Sequence, residues 1–494
     1  VTLLRLGRND EAFAVADAAR SRGLLEHLAA VRDAGPASDL VRGEALLRRI
    51  DELMRRIRES EPSRPLERSL ATDTIAAILG QQLAEARGEY EALVTRTPVE
   101  ATRSVSVLGA GATRLADVRG TLDEDEVLLE YLVTSERLIV FVLRRNDFRV
   151  IEEPLDAITL RHRIELVRDV WRDANTGWRL GLPAARALYG TLIGGLQRSQ
   201  LLEGATRILV VPHGVLGQLP FAALQDPATR RYLVEDYSVS HLPSAMALAA
   251  LRRTPATDAL TRSPGEALAP FPAQLPATRS EVLAFRDARP GAKFRLGAEA
   301  SEAAVRLALT RDEPVHVATH GTLNVRNPMF SRIELAAPAR QSGPANDGRL
   351  EVHELLGLRI RSPLVFLSGC ETGAGQAWSD DPVRGTADLT LAQAALSAGA
   401  GNVVSTLWRI QDAGAATFAG RFYTHLQRGS VSAALALAQR DMIADSTLAS
   451  PYYWAGYILS GEGRFGGSTQ IAGTRSVPQK RTATLAGTPP GKVQ

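Results

Sequence analysis

The spacing of apolar residues changes character partway along the chain. Up to about residue 114 they recur three and four apart, as on one face of a helix. "LLRLGRNDEAFAVADAARSRGLLEHLAAV" predicts a short helix, a turn at Gly-Arg-Asn-Asp, and a longer helix with small residues at its contact face. That is the layout of one tetratricopeptide-like unit, expected over 1–35. "GEALLRRIDELMRRIRES" (43–60) and "TDTIAAILGQQLAEARGEYEALVTR" (72–96) predict two long amphipathic helices, separated by "EPSRP". A helical hairpin with a linker is therefore expected over 36–114. The dense charges of these helices read as solvated faces with i,i+4 pairs.

From about residue 115 the pattern turns to short, continuous apolar runs. "EVLLEYLV" (126–133) and "RLIVFVLRR" (137–145), joined by "TSE", predict a β-hairpin. "RILVVP" (207–212), "EPVHVAT" (313–319), "SPLVFLSG" (362–369) and "GNVVSTLW" (401–408) predict buried strands. Helical patterns alternate with them at about 158–174, 183–201, 301–309, 383–398 and 412–427. Apolar strands alternating with helices predict an α/β domain over 115–463: a mostly parallel sheet with helices on both faces, preceded by the α-helical region. Residues 254–277, rich in Pro, Ala and Thr, read as a loop, and 464–494 reads as a disordered basic tail.

Composition alters this picture in only a few places. The tail beyond Gly463 holds five basic residues and no acid, against a net charge of +3 for the whole chain, so residues 1–463 carry −2. The body is not basic, and specific nucleic-acid binding is not expected. Fifty-five of the 58 basic residues are Arg, which reads as the coding bias of a GC-rich, bacterial genome. No apolar run reaches the ~18 residues of a membrane span, and the N-terminus lacks the features of a signal peptide. The first residue is Val, which leaves room for chain upstream. A single cysteine excludes an internal disulfide and any multi-cysteine zinc site, and a reducing, cytoplasmic location is expected.

That cysteine, Cys370, ends the apolar run "LVFLSGC", and His320 ends "EPVHVATHG". In open α/β sheets, reacting groups gather at the carboxyl ends of strands. If the two strands are neighbours, imidazole and thiol face each other, and the imidazole can take the thiol proton. The backbone N–H groups of Gly321 and Cys370 would then hold an oxyanion. The plainer alternative is a lone Cys acting as a small core residue. His316, four residues before His320, and His213, in the turn "VVPHGVLG", are expected to be structural, although His213 also has the position of a cleft residue. "LGAGAT" (108–113) lacks the Lys-Ser/Thr of a phosphate loop. No metal-ligand spacing and no cofactor site are visible.

"HVATHGTLNVRNPMFSRIEL", "LVFLSGCETGAG", "LSAGAGNVVSTLWRIQD" and "PYYWAGYILSGEG", in that order, resemble the CHAT domain family, as do "DEDEVLLEYLV" and "ILVVPHGVLGQLPFAAL" upstream. The resemblance implies a caspase-like fold over roughly 115–463, usually attached to tetratricopeptide repeats. It also implies membership of the caspase, separase and gingipain group of cysteine peptidases, with His320 and Cys370 as the catalytic dyad. It further implies a protein substrate and a regulatory protein partner docking on the helical repeats. By the same resemblance, the loop "STLWRIQD" walls the pocket for the residue before the scissile bond. Trp408 would be its apolar wall and Asp412 its carboxylate, favouring a basic residue there; the alternative is that Asp412 caps the helix it begins. Two departures stand out: a stretch weak as a strand before "RSEV", and "RGTADL" at 384–389 where relatives read Gly-Glu-Gly. Two other functional classes stay open. One is a non-catalytic scaffold that keeps the fold; the other is acyl transfer or hydrolysis on a non-protein substrate.

Overall fold

The computed structural model describes residues 1–32, scattered positions between 46 and 89, residues 114–253, 260, 263–324, 328–337, 346–374 and 389–464. The predicted connection at 61–65, the stretch at 108–113, residues 384–388 of "RGTADL" and the tail beyond residue 464 lie outside the described residues.

Among the described residues, eleven strands form one sheet. The N-terminal half contributes β1 (Glu126–Val133), β2 (Arg137–Leu143), β3 (Phe148–Pro154), β4 (Arg207–Val211) and β5 (Ser238–His241). The C-terminal half contributes β6 (Glu266–Ala269), β7 (Lys293–Leu296), β8 (Val315–Ala318), β12 (Val365–Ser368), β13 (Asn402–Thr406) and β14 (Tyr457–Gly461). Their order is β3-β2-β1-β4-β5-β14-β13-β12-β8-β6-β7. Pairing is parallel except within β1-β2-β3 and between β13 and β14. A small antiparallel sheet of β9 (Gly321–Thr322), β10 (Arg332–Glu334) and β11 (Arg349–Glu351) stands beside the end of β8. The fold is thus α/β with a large, mostly parallel sheet covered by helices, as the alternation of strands and helices predicts.

Both faces of the central strands are buried, which is why β1, β4, β8, β12 and β13 read as continuous apolar runs. Along β1, Val127, Leu129, Tyr131 and Val133 enter one core and Leu128 the other. The first face forms a core that runs through both halves. It lies under the helices Ala157–Trp171 and Leu182–Leu192 on one side of the molecule, and under Pro276–Ala288, Asp412–Leu426 and Val431–Ala444 on the other. The second face is divided. Phe13, on the helix Asn9–Arg32, packs with Phe141 and Leu209 over the N-terminal half. Leu46, Ile50, Leu53, Leu79 and Ala86 pack with Leu268, Val315 and Val317 over the C-terminal half. The i, i+4, i+7 spacing of Leu46, Ile50 and Leu53 follows the predicted amphipathic stripe. Each such leucine, isoleucine or valine stabilises the fold by about 1.5–3 kcal/mol when fully buried.

The halves are also joined by charge. Glu126, at the start of β1, binds Arg207 and Arg252, each at 2.7 Å, and Arg252 reaches Glu462 beyond β14 at 3.2 Å. Burial opposes ionisation of Glu126, but the two guanidiniums hold its carboxyl at about 2.

One expectation is overturned. Residues 266–269, inside the stretch read as a loop, form β6, a fully buried strand between β8 and β7. "EALA" carries no β-branched residue, so its propensity signals no strand; burial between two partners decides it instead. Glu266 is buried with Arg295 at 2.5 Å and Arg311 at 3.0 Å. Gly265, at φ +85°, has no room for a side chain: a Cβ there would sit 2.5 Å from the Pro314 carbonyl oxygen. The end of the same stretch, from Pro276, begins a helix.

Candidate functional site

β8 and β12 are neighbours, paired in parallel from Val315↔Val365 to Ala318↔Ser368. His320 and Cys370 each lie two residues beyond this last pair. Adjacent strands run roughly 4.8 Å apart, so the two residues leave the sheet side by side at the same level. The pairing continues past the strands, where Thr319 N–H donates to Ser368 O at 2.9 Å.

The turn that carries Cys370 is tightly constrained. A Cβ on Gly321 would sit 2.1 Å from the Cys370 carbonyl oxygen, and one on Gly369 would sit 3.0 Å from Thr319 O. Glycine at both positions is what lets the two backbones meet. Glu371 is left-handed, with φ +55°, a conformation that costs a non-glycine residue about 1–2 kcal/mol. It is held there by the residues that follow. Gly373 N–H donates to Thr406 O at 2.8 Å, Thr406 N–H to Thr372 Oγ1 at 3.1 Å, and Thr372 Oγ1 to Leu367 O at 3.2 Å. The cysteine turn is thereby fastened to β13. On the histidine side, Glu334 N–H donates to His320 O at 2.9 Å, and β9 starts at once.

The pair opens into a cleft of about 680 Å³. His320, Gly321 and Cys370 form its floor. Phe271 and Gln274 stand on one side, Arg409 and Glu371 on another, and Thr322 and Glu334 on the small sheet. The Phe271 ring lies 5.6 Å from the His320 ring, tilted by 40°. The Glu334 carboxylate is already engaged by Arg332 at 2.7 Å and Arg349 at 3.7 Å. Arg409 is exposed and makes no ion pair with a described residue. Burial pushes the half-buried Cys370 thiol above its ordinary pKa, and Glu371 adds to that. Arg409 and the backbone N–H groups of Gly321 and Cys370 oppose the shift by favouring thiolate.

Four other sequence expectations can be placed. Trp408 is 2% exposed, donates from Nε1 to Tyr452 O at 3.1 Å, and packs under Gly456, so it belongs to the core and not to the cleft lining. Asp412 does not line the cleft either. Its Oδ2 accepts from Ala277 N–H at 2.7 Å, so it caps the helix Pro276–Ala288, although it is itself the first residue of Asp412–Leu426. The cleft residue of "STLWRIQD" is Arg409, and the ground for expecting a basic residue before the cut is removed. His316 is fully buried, with Nδ1 2.8 Å from Tyr423 Oη and Nε2 3.3 Å from Glu281. His213 is held away from the cleft, with Nδ1 accepting from Val133 N–H at 3.2 Å.

Sequence reasoning missed Phe271, Gln274 and Glu334. The available signal was a large aromatic between two prolines in "PFP", within a stretch read as loop. Among the described residues, no group of three His, Cys, Asp or Glu side chains could hold a metal ion, and no helix is long and apolar enough to cross a membrane.

The CHAT domain family model matches residues 182–462. Tetratricopeptide repeat protein 28 of Mus musculus is 28% identical over 332 residues, which cover 57% of this chain and 13% of that protein. Its Homo sapiens counterpart is 28% identical over 329 residues, 56% of this chain and 13% of that protein. The chain thus spans about an eighth of the length of these curated relatives. Among solved structures, the Saccharomyces cerevisiae separase–securin complex matches with a TM-score of 0.44 at 10% identity, covering 79% of this chain and 34% of that one. The Arg-specific cysteine proteinase gingipain R matches with a TM-score of 0.37 at 10% identity, covering 61% and 74%.

Proposed function

This chain belongs to the CHAT domain family, and on that premise we propose that its cleft is a cysteine-peptidase site acting on protein substrates. The observation that carries the reading is the equal offset of His320 and Cys370 beyond two paired parallel strands, at the floor of one open cleft. His320 takes the thiol proton, and the thiolate adds to the scissile carbonyl carbon. The oxyanion is held by the N–H groups of Gly321 and Cys370. The His320 imidazolium returns the proton to the leaving amine as the C–N bond breaks, and water, activated by His320, releases the acyl group. No metal or cofactor enters these steps. The helical region before residue 114 serves as a docking surface for a regulatory protein, since stacked helices offer one, and the reducing cytoplasm suits a free thiol.

The test is a thiol-directed, substrate-like probe on the full chain. Labelling at Cys370 that slows in His320→Ala supports the dyad; labelling indifferent to His320 removes it. Cleavage profiling of wild type against Cys370→Ala then identifies substrates. One feature favours a second reading, a scaffold without catalysis: burial pushes the Cys370 thiol pKa up, against thiolate formation. On that reading the wild-type protein labels no faster than an ordinary buried thiol, with or without a partner.

A further inference from the structure

Two loops wall the cleft, and each runs directly into a helix. Phe271 and Gln274 precede Pro276–Ala288, and Arg409 precedes Asp412–Leu426. The first helix begins without a cap of its own: Leu275 makes no side-chain cap hydrogen bond, and Pro276 has no N–H. The orphan donor at Ala277 is satisfied from the other helix, by Asp412 Oδ2 at 2.7 Å. The two helices run side by side in the same direction. A Cβ on Gly420 would lie 3.8 Å from Ala284 Cβ, and at the far end Gln427 donates to Ala288 O at 3.0 Å.

We propose that Asp412 is a positioning residue, a clasp that sets the distance between the two cleft walls and so holds Phe271 against His320 and Arg409 beside Cys370. The clasp lies three residues from Arg409 and, through Ala277, three from Gln274. The Phe271 loop is internally stiff, since Gln274 and Leu275 both donate to Phe271 O, at 3.0 and 2.9 Å. A shift at Ala277 is therefore passed on to the ring that faces His320. Asp412 also places a carboxylate at the positive ends of two helices, where it is favoured electrostatically. The inference rests on the cleft being the reacting site proposed above, but it concerns how the walls are held and does not require that a peptide be cut.

Because Cys370 is the only cysteine, alkylation of the full chain reports this site alone. Iodoacetate is anionic and iodoacetamide neutral, so the ratio of their rates at low salt reads the cationic Arg409 beside the sulfur. A charge a few ångströms away at the protein surface changes such a ratio about threefold or more. We expect Arg409→Ala to lower the ratio and Asp412→Ala to lower it toward the same value, with the circular dichroism spectrum unchanged. Asp412→Asn keeps an oxygen for Ala277 N–H and should retain the wild-type ratio within about twofold; it also stands as the test if Asp412→Ala does not fold. An unchanged ratio in folded Asp412→Ala overturns the clasp, even where its melting temperature falls, because a merely structural role moves stability alone. An Asp412→Asn ratio as low as that of Arg409→Ala also overturns it, as does a wild-type ratio no different from that of Arg409→Ala. Alkylation indifferent to His320 but sensitive to Asp412 leaves the clasp standing and removes the peptidase reading.

Discussion

The sheet ends twice in the same dipeptide. β4 runs out through Val211-Pro212 to His213-Gly214, and β8 through Ala318-Thr319 to His320-Gly321. At the first end, Arg20 of the N-terminal helix donates to Tyr131 O, Val211 O and Pro212 O. His213 is half-buried there and pushed down to about 4, by desolvation first and then by Arg20, so it stays neutral. Burial pushes the neighbouring Glu130 up to about 8, with Arg20 opposing and Asp17 adding. At the second end nothing comparable covers the described residues, and His320 faces an open cleft beside Cys370. A His-Gly pair after an apolar strand is thus a shared structural device. What separates the two ends is a cysteine after the adjacent strand and, among the described residues, the lack of a plug.

The sharpest way to break this comparison is at the reacting groups. Cys370→Ala should abolish both probe labelling and proteolysis, with the melting temperature nearly unchanged, because little packing volume is lost. His320→Ala should slow both by about 10²–10⁴-fold, and the double variant should be no worse than Cys370→Ala alone. His213→Ala and His316→Ala should leave labelling within severalfold of wild type. Labelling and cleavage rates on purified variants decide this; an active His320→Ala protein would force a different base.

The glycines supply the next contrast. Gly214 sits at φ +56°, so Gly214→Ala should cost about 1–2 kcal/mol and leave labelling intact. Gly321→Ala places a Cβ against the Cys370 carbonyl, and backbone cannot yield as a side chain can. Loss of several kcal/mol, on the order of 4 or more, together with loss of labelling, is expected. Denaturant melts and probe kinetics on both variants measure the difference.

The plug can be removed as well. Arg20 donates to three backbone carbonyls at this end, and stranding buried acceptors costs roughly 1–3 kcal/mol, so Arg20→Ala should destabilise the N-terminal half by about that much. The pH dependence has a defined sign. Glu130 has its folded pKa raised to about 8, so between the ordinary carboxyl range and 8 the folded state binds more protons than the unfolded one. Its stability contribution is fully present below the unfolded value and is lost as pH rises through about 8. Arg20→Ala removes the charge that favours ionised Glu130, and should carry the loss on to higher pH; Glu130→Gln should flatten it. Urea melts from pH 5 to 9 test both, and stability rising with pH in Arg20→Ala would contradict the assignment.

How much of this was legible depends on where burial leaves a mark in composition. β4, β8 and β12 announce themselves because both faces are apolar, and the strand-end positions of His320 and Cys370 follow from those runs. β6 left no mark, since "EALA" reads equally as helix or loop. β5, "SVSH", buries polar side chains that read as surface. β3 is an edge strand whose residues lie half in solvent. The direction of the side chains in "TLWRIQD" was not legible at all. Which of Trp408, Arg409 and Asp412 meets the cleft depends on the neighbouring helix Pro276–Ala288, far away in sequence, whose uncapped start draws Asp412 aside.

The smallest effect concerns Arg409, the one cation among the described cleft residues, and it asks how far the open end resembles the closed one. At the closed end a guanidinium is spent on carbonyls and Glu130. At the open end Arg409 makes no ion pair with a described residue and favours the Cys370 thiolate against burial. Removing it leaves burial and Glu371 less opposed, so the thiol pKa of Arg409→Ala should rise further above the ordinary cysteine value. Thiolate is the reacting form, so at pH 7.5 alkylation by neutral iodoacetamide should slow about threefold. The rate profile from pH 6 to 10 should shift to higher pH while its plateau stays the same, since the sulfur itself is unchanged. Arg409→Lys should restore most of the wild-type profile, because it retains the charge. A profile unmoved by Arg409→Ala would mean that the guanidinium is too well screened to act on the sulfur, and that the Gly321 and Cys370 N–H groups alone oppose burial at this thiol.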